Sequence, residues 1–347
     1  MKILPNNSSL IYSGRIDWSD PFAIVWTYPG TFVKIKFKGT QLSIQVCNKH
    51  NYWDNYLGVV EGDAQTKLLL PEEGDATIEI PLQETPDNVH EVLIFKRQDA
   101  CHELTILGFE LDNDAELLEA SPLPKRRIEV FGDSVSAGEV SEAVDYVAKT
   151  DPEHNGEYSN SWYSYAWMTA RMLDAELHDI AQGGAALLDE TGWYHAPDYI
   201  GMETIWDKMR YNPGYGTVTK WDFSKYTPDI VIVAIGQNDS HPEDYMKTDY
   251  QGEKAQNWRT HYRQFLAKLR ETYPDAWIVC CTTLLQHDIG WDMSIDQAVQ
   301  DLGDKKVSHC VFKRNGKATP GHLRIPEAEE MAKELCHHIR TIGIEGY

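Results

Sequence analysis

Residues 127–138 read Arg127-Ile128-Glu129-Val130-Phe131-Gly132-Asp133-Ser134-Val135-Ser136-Ala137-Gly138. Residues 128–131 form a short, largely apolar run of strand character, and a serine flanked by glycines follows at once. A Ser at a strand end can present its Oγ at the carboxyl edge of a sheet, where a backbone N–H beside it can face a developing oxyanion. The motif departs from the G-x-S-x-G elbow, because Ser136 stands at the second Gly position. An ordinary βα turn with Ser134 as a helix cap has the same local sequence. The surrounding chain decides between the two.

Upstream, residues 1–112 carry only strand signals. Val33, Ile35 and Phe37 alternate with Lys34, Lys36 and Lys38, and Leu42, Ile44 and Val46 alternate with Gln41, Ser43 and Gln45. Residues 76–82, 92–96 and 104–111 continue in the same style. Alternation of period two means one face buried and one wet, so this part predicts an antiparallel β-sandwich. Residues 113–126 are charged and hold Ser121, Pro122 and Pro124, the composition of a linker. The second domain then spans 127–347, and two domains suit a chain of 347 residues at ~150 residues per domain.

Downstream, strand and helix alternate. Residues 177–181, 230–235, 277–282 and 307–312 read as strands, the second being a continuous apolar, β-branched run of the kind covered on both faces. Helical stripes fall on 161–173, on 256–273 (Trp258, Tyr262, Phe265, Leu266, Leu269) and on 326–340, with Pro326 near the first position. This order predicts an α/β/α domain with a parallel sheet, whose ligands bind beyond the carboxyl ends of the strands.

Three further segments sit at such ends. Gln182-Gly183-Gly184 follows the strand at 177–181, and its glycines let backbone approach a ligand. Gly236-Gln237-Asn238-Asp239 follows the apolar strand and can bring an amide N–H into the same space. Thr319-Pro320-Gly321-His322 precedes the last helix, and a His there can act as general base on a serine. Each alone is also an ordinary turn.

Together, in the order Ser, Gly, Asn, His, the four blocks resemble the SGNH, or GDSL-like, hydrolase superfamily. The N-terminal sandwich ahead of a GDS strand resembles carbohydrate esterase family 2, which joins a jelly-roll-like domain to an SGNH domain and deacetylates plant polysaccharides. The resemblance implies Ser134 as nucleophile and His322 as base. It implies the Ser134 N–H, Gly183 (with Gly184 the adjacent alternative) and Asn238 as the oxyanion hole, and it requires neither metal nor cofactor. The superfamily's last block is usually Asp-x-x-His, and here Thr319 holds the Asp position. The relay is then either a Ser134–His322 dyad with a backbone carbonyl as orienter, or it takes an acid from elsewhere, with Glu327, Asp288 and Asp292 as candidates. The implied reaction removes O-acetyl groups from mannan- or xylan-type oligosaccharides through an acetyl-Ser intermediate. Alternatives are a lipase, lysophospholipase or thioesterase on the same fold, and a carbohydrate-binding protein with an inactive SGNH domain.

Composition narrows the partners. The 54 Asp and Glu against 32 Lys and Arg give a net charge of −22, which repels nucleic acid and anionic membrane. No apolar stretch approaches the ~18 residues of a membrane span. The first residues lack a signal-peptide h-region, and six Cys without a CxxC pair read as free thiols, so a cytoplasmic protein without structural zinc is expected. Adjacent Cys280 and Cys281 should face opposite sides of one strand. Aromatic residues present flat faces that suit sugar rings. Trp291, on a stretch read as a loop after a core strand, is the expected substrate contact, ahead of Trp193, Tyr194 and Trp53. The oligomeric state is not legible.

Overall fold

The computed structural model describes residues 1–195 and 198–344. The N-terminal part is a sandwich of two antiparallel sheets. One is built on Phe32–Lys38, Val89–Lys96, Tyr56–Glu61 and Ala64–Leu69, the other on Ile24–Trp26, Glu103–Leu111, Leu42–Lys49 and Glu73–Glu79. Alternation sets the faces: Val33, Ile35, Phe37, Leu42, Ile44 and Val46 are buried in the core between the sheets. Glu116–Leu118, inside the stretch that reads as linker, pairs with Phe32–Lys38 and extends the sandwich by one short strand.

The second part is a five-stranded parallel sheet in the order Ala175–Ala181, Arg126–Gly132, Ile230–Ala234, Trp277–Cys281, Val307–His309. Strand order reverses beside Arg126–Gly132, the first strand of the sheet. The crevice at such a reversal is where doubly wound sheets take ligands, and Ser134 lies directly beyond it. Helices Tyr165–Met172 and Ile325–Thr341 cover one face, over Ile128, Val130, Ile232 and Val279. Helices Glu253–Thr272 and Ile289–Leu302 cover the other, over Phe131, Val231, Val233 and Ile278. Cys281 belongs to the first core and Cys280 to the second, as adjacent strand residues must. Among the described residues no helix is long and apolar enough to cross a membrane.

In the sheet domain the first helical stripe and the last strand also differ from the sequence reading. The helix expected over 161–173 is split, because Ser164 takes an extended conformation (φ −67°, ψ 152°) and caps Tyr165–Met172 through its hydroxyl. The last strand ends at His309 rather than residue 312.

The sandwich and the sheet domain share buried polar contacts. Arg15 of the sandwich is fully buried and pairs with Glu129 of the first parallel strand at 2.9 Å, while its Nη1 donates to the carbonyls of Trp206 and Lys208. The Tyr273 hydroxyl donates to the other Glu129 oxygen at 2.7 Å. Removing one member of a buried ion pair strands the other charge, at about 3–5 kcal/mol. Arg15→Leu is therefore expected to lower the unfolding free energy in urea by about that much, and Arg15→Leu with Glu129→Leu to recover most of it. A single variant within about 1 kcal/mol of the parent would contradict this weight on the pair.

Candidate active site

Ser134 opens the four-residue helix Ser134–Ala137. Asp133 caps it by accepting from the Val135 N–H at 3.0 Å, and Gly138 closes it in the left-handed region at φ +75°. Gly132 must be glycine for a steric reason: a Cβ there would lie 2.0 Å from the Ser136 Oγ, which is bonded to the Tyr165 hydroxyl. Ser136, in the place of the elbow's second glycine, thus locks the turn from beneath. Burial pushes the Asp133 carboxyl up to about 6, against the N–H donors of Val135 and Gln237.

The Ser134 hydroxyl donates to His322 Nε2 at 2.9 Å, and the Nδ1–H of His322 donates to Asp151 Oδ2 at 2.6 Å. A carboxylate only accepts, so Asp151 fixes the proton on Nδ1 and leaves Nε2 free to accept from the serine. Asp151 Oδ1 accepts the His322 backbone N–H at 2.9 Å and pairs with Arg324 at 2.9 Å. Gly321 is required beside it, since a Cβ would meet Asp151 Oδ1 at 2.5 Å. The orienting acid therefore exists, and it comes from the irregular segment between the first helix and Ser161. Thr319, at the usual acid position, is buried, and its hydroxyl lies 3.4 Å from the Lys149 carbonyl. The three carboxylates expected as candidates are employed elsewhere. Glu327 accepts from the Arg324 N–H in a capping box, Asp288 caps Ile289–Leu302, and Asp292 faces His287.

The cleft holding Ser134 and His322 has a volume of about 460 Å³. Asn238, Gly183 and Gly184 line it, together with Glu139, Asp151, Tyr52, Trp53 and Trp193. The Gly183 N–H donates to Asp99 Oδ2 of the sandwich at 2.8 Å, and Asn238 Nδ2 donates to Asp133 Oδ2 at 3.2 Å and to the Ala185 carbonyl at 3.1 Å. The two expected oxyanion donors thus border the reaction space with their N–H groups held by acceptors of the protein. A Cβ at Gly183 would lie 2.5 Å from Asp99 Oδ2 and 2.8 Å from Glu139 Oε2.

Trp291 is not at the cleft. Asp288 starts a helix where the sequence reads as a loop, and this turns Trp291 inward. It is fully buried, packs edge-on against Trp258 and Tyr245 at 5.4 and 5.2 Å, and donates to Asp244 Oδ1. Tyr194 is buried in the same core. The aromatic faces at the cleft belong to Trp193, 63% exposed and stacked on His241 at 3.5 Å, and to Trp53 and Tyr52. Tyr52 has a sequence signal that is easily passed over: two adjacent aromatics in the polar turn between two strands. Asp151 and Glu139 have none.

Asp99, Cys101 and His102 bring ligand-type atoms within 4.8 Å of one another behind Gly183. Asp99 already accepts from Gly183, Gln182 and Cys101, and the buried Lys96 ammonium donates to the Asp99 carbonyl. Those bonds already occupy the Asp99 carboxylate and the Lys96 ammonium balances its charge, which disfavours a metal there.

Residues 12–121 match the family model described as Carbohydrate esterase 2 N-terminal, and residues 130–304 match the GDSL-like Lipase/Acylhydrolase family. Over 346 residues the chain is 29% identical to the cellulase/esterase CelE of Acetivibrio thermocellus, covering 97% of this chain and 40% of that protein. It is 30% identical over 235 residues to the acetylxylan esterase / glucomannan deacetylase of Cellvibrio japonicus, covering 65% and 60%. The chain thus spans less than two thirds of the length of either relative. Its fold resembles that of a family two carbohydrate esterase from Clostridium thermocellum in complex with cellohexaose, with TM-score 0.77, 26% identity, and 96% and 98% of the two chains covered.

Carboxylates dominate the electrostatics around His322. Burial works to lower its pKa, but Glu139, whose Oε1 lies 3.9 Å from Nε2, and Asp151 and Asp133 outweigh it and raise the value to about 9. Burial in turn pushes Glu139 up to about 7. Asp151 moves the other way, because its bond to His322 and the imidazolium charge overcome its desolvation and hold it below the usual carboxylate range. An NMR titration of the His322 ring should give a midpoint well above the ordinary ~6.5. Asp151→Asn and Glu139→Gln should each lower it. A parent midpoint at or below the ordinary value would contradict this field.

Proposed function

We propose, for a chain that belongs to the GDSL-like lipase/acylhydrolase family and carries the carbohydrate esterase 2 N-terminal domain, that it is a serine esterase. Its substrates are O-acetylated oligosaccharides of mannan or xylan type. The observation that carries this reading is the continuous Ser134–His322–Asp151 line, set in a cleft with exposed aromatic faces. The relative named acetylxylan esterase / glucomannan deacetylase supplies the substrate class.

In the proposed reaction His322 Nε2 takes the Ser134 proton as Oγ attacks the acetyl carbonyl, and Asp151 stabilises the imidazolium. The Ser134 N–H, in a first helical turn without intrahelical acceptors, meets the oxyanion. Gly183 and Asn238 join it by turning one N–H each from Asp99 and Asp133 to the tetrahedral centre. His322 then protonates the departing sugar oxygen, and water clears the acetyl-enzyme by the same route. Charge at the cleft suits a neutral ester and disfavours retention of acetate. Among the described residues its lining is mostly aromatics, glycines and carboxylates, with Leu285 and Pro320 the aliphatic members, and shows no long apolar track for a fatty acyl chain. The complete relay favours catalysis over carbohydrate binding alone. Six unpaired cysteines, five of them buried, support a reducing, cytoplasmic setting as part of the same proposal.

Acetate release from acetylated manno- or xylo-oligosaccharides tests the reading, beside 4-nitrophenyl esters of rising chain length. Acetyl esters should be cleaved best, and Ser134→Ala should lose at least about 1000-fold in kcat. Release by Ser134→Ala at the parent rate would overturn the mechanism. The base must be neutral to accept a proton, so kcat/KM should rise with pH into the alkaline range set by the raised His322. Trp193→Ala should raise the oligosaccharide KM about 3- to 10-fold and leave 4-nitrophenyl acetate unchanged. Trp291→Ala should instead cost about 3–5 kcal/mol of stability.

A further inference from the structure

Glu139 lines the cleft beside Ser134 and His322 and takes no part in the steps proposed above. It follows the short helix that Ser134 opens, and its backbone N–H donates to the Ser134 carbonyl at 3.0 Å, so its position is tied to that of the nucleophile. The side chain is 11% exposed. Oε2 lies under Gly183, where a Cβ would meet it at 2.8 Å, and Oε1 stands 3.9 Å from His322 Nε2. Among the described residues neither oxygen accepts a hydrogen bond. A largely buried carboxylate is costly without a donor, so the donor must come from what enters the cleft.

Nε2 and Oε1 are too far apart to bond directly, and they are spaced to share one small molecule. An oxygen about 2.8 Å from each closes the triangle at an angle of about 90°, near the angle between the two O–H bonds of water. The place beside Nε2 is where each proton of the reaction is exchanged. The departing sugar oxygen holds it in the first half, and the attacking water holds it in the second. These occupants differ in one respect. An alcohol brings one hydrogen, gives it to Nε2, and carries carbon where water carries its second hydrogen. Only water therefore has a donor left for Glu139. At the alkaline pH where His322 is neutral, Glu139, pushed up to about 7 by burial, is ionised and can only accept.

We propose that Glu139 selects water over alcohols as the acceptor of the acetyl group on Ser134, by holding the second hydrogen of the water that His322 activates. This rests on the serine-esterase reading above. His322 Nε2 takes one water proton as the water oxygen bonds to the acetyl carbon, and the carbonyl electron pair moves onto its oxygen. The pair then returns, the bond to Ser134 Oγ breaks, and Nε2 gives its proton back to Oγ. Acetic acid leaves with the hydrogen that Glu139 held and loses it to solvent as acetate. Glu139 forms no covalent bond in this sequence and acts as a positioning residue. The consequence is directional. A cleft that binds oligosaccharides surrounds the acetyl-enzyme with sugar hydroxyls, and a device that favours water keeps the acetyl group from returning to them.

The test is a partition measurement on the full chain. 4-Nitrophenyl acetate loads Ser134 whatever the natural sugar, and methanol is added as an acceptor that competes with water. The ratio of methyl acetate to acetate compares two attacks on one acetyl-enzyme by one base. Changes in acylation, in His322 basicity and in the amount of folded protein cancel from it. Glu139→Leu and Glu139→Ala should each raise the ratio about 5- to 20-fold, for the loss of a hydrogen bond to a charged group. Glu139→Gln, whose amide oxygen still accepts, should raise it less. An unchanged ratio in Glu139→Leu overturns the proposal. So does a rise in Glu139→Ala alone, which reports room for a methyl group, and so does an unchanged ratio with a higher oligosaccharide KM, which makes Glu139 a sugar contact. A parent that releases no 4-nitrophenol overturns the esterase reading itself, whereas release by parent and variants with one common ratio overturns only the role of Glu139.

Discussion

One imidazole, bonded at both ring nitrogens, constrains the rest of the molecule. Ser134 and His322 stand 188 residues apart, and Asp151 lies 171 residues before the histidine. The serine is placed by the first strand of a parallel sheet and the histidine by the loop before the last helix. The acid sits on a segment with little regular structure of its own. Such a segment holds a carboxylate in place only if something else holds the segment, and here the sandwich does. Arg97 donates through Nε to the Ser159 carbonyl, pairs with Glu142 at 2.5 Å, and accepts the Ser161 N–H at its carbonyl. The β-domain is therefore part of the site. It steadies the acid, sends Asp99 to Gly183, and contributes Tyr52 and Trp53 to the cleft rim.

The electrostatic consequence follows from the carboxylates, which outweigh burial at His322. Asp133, Glu139 and Asp151 surround one ring in a partly dry cleft, and the cheapest way to accommodate their charge is to favour the imidazolium. An acyl-transfer intermediate carries that same imidazolium, so the field that opposes the resting base supports its charged form. The overall acidity of −22 thus has a local counterpart, concentrated where a neutral ester would enter and an anion would leave.

Much of this was legible in the sequence because strands are. Period-two alternation located Val33, Ile35 and Phe37 in the sandwich core, and the apolar runs located the parallel strands. Once those strands are placed, anything just beyond their carboxyl ends converges, which brings Ser134, Gly183 and Asn238 together. What failed depended on single capping events or long-range contacts. Trp291 moved from rim to core because Asp288 capped a helix one turn earlier than the loop reading allowed. Glu116–Leu118 joined the sandwich because a strand edge was available to pair. Asp151 has no sequence signal, since its role depends on where Arg97 pins its segment.

The account stands most directly on covalent chemistry at Ser134. The decisive measurement is peptide mass mapping of the protein quenched during turnover of an acetylated oligosaccharide, with Asp151→Asn run beside it to slow the passage of protons. A peptide containing Ser134 should gain one acetyl group, and tandem fragmentation should place it on that residue. Acetate release with Ser134 unmodified at every time point, or an acetyl group found on another residue, would contradict it.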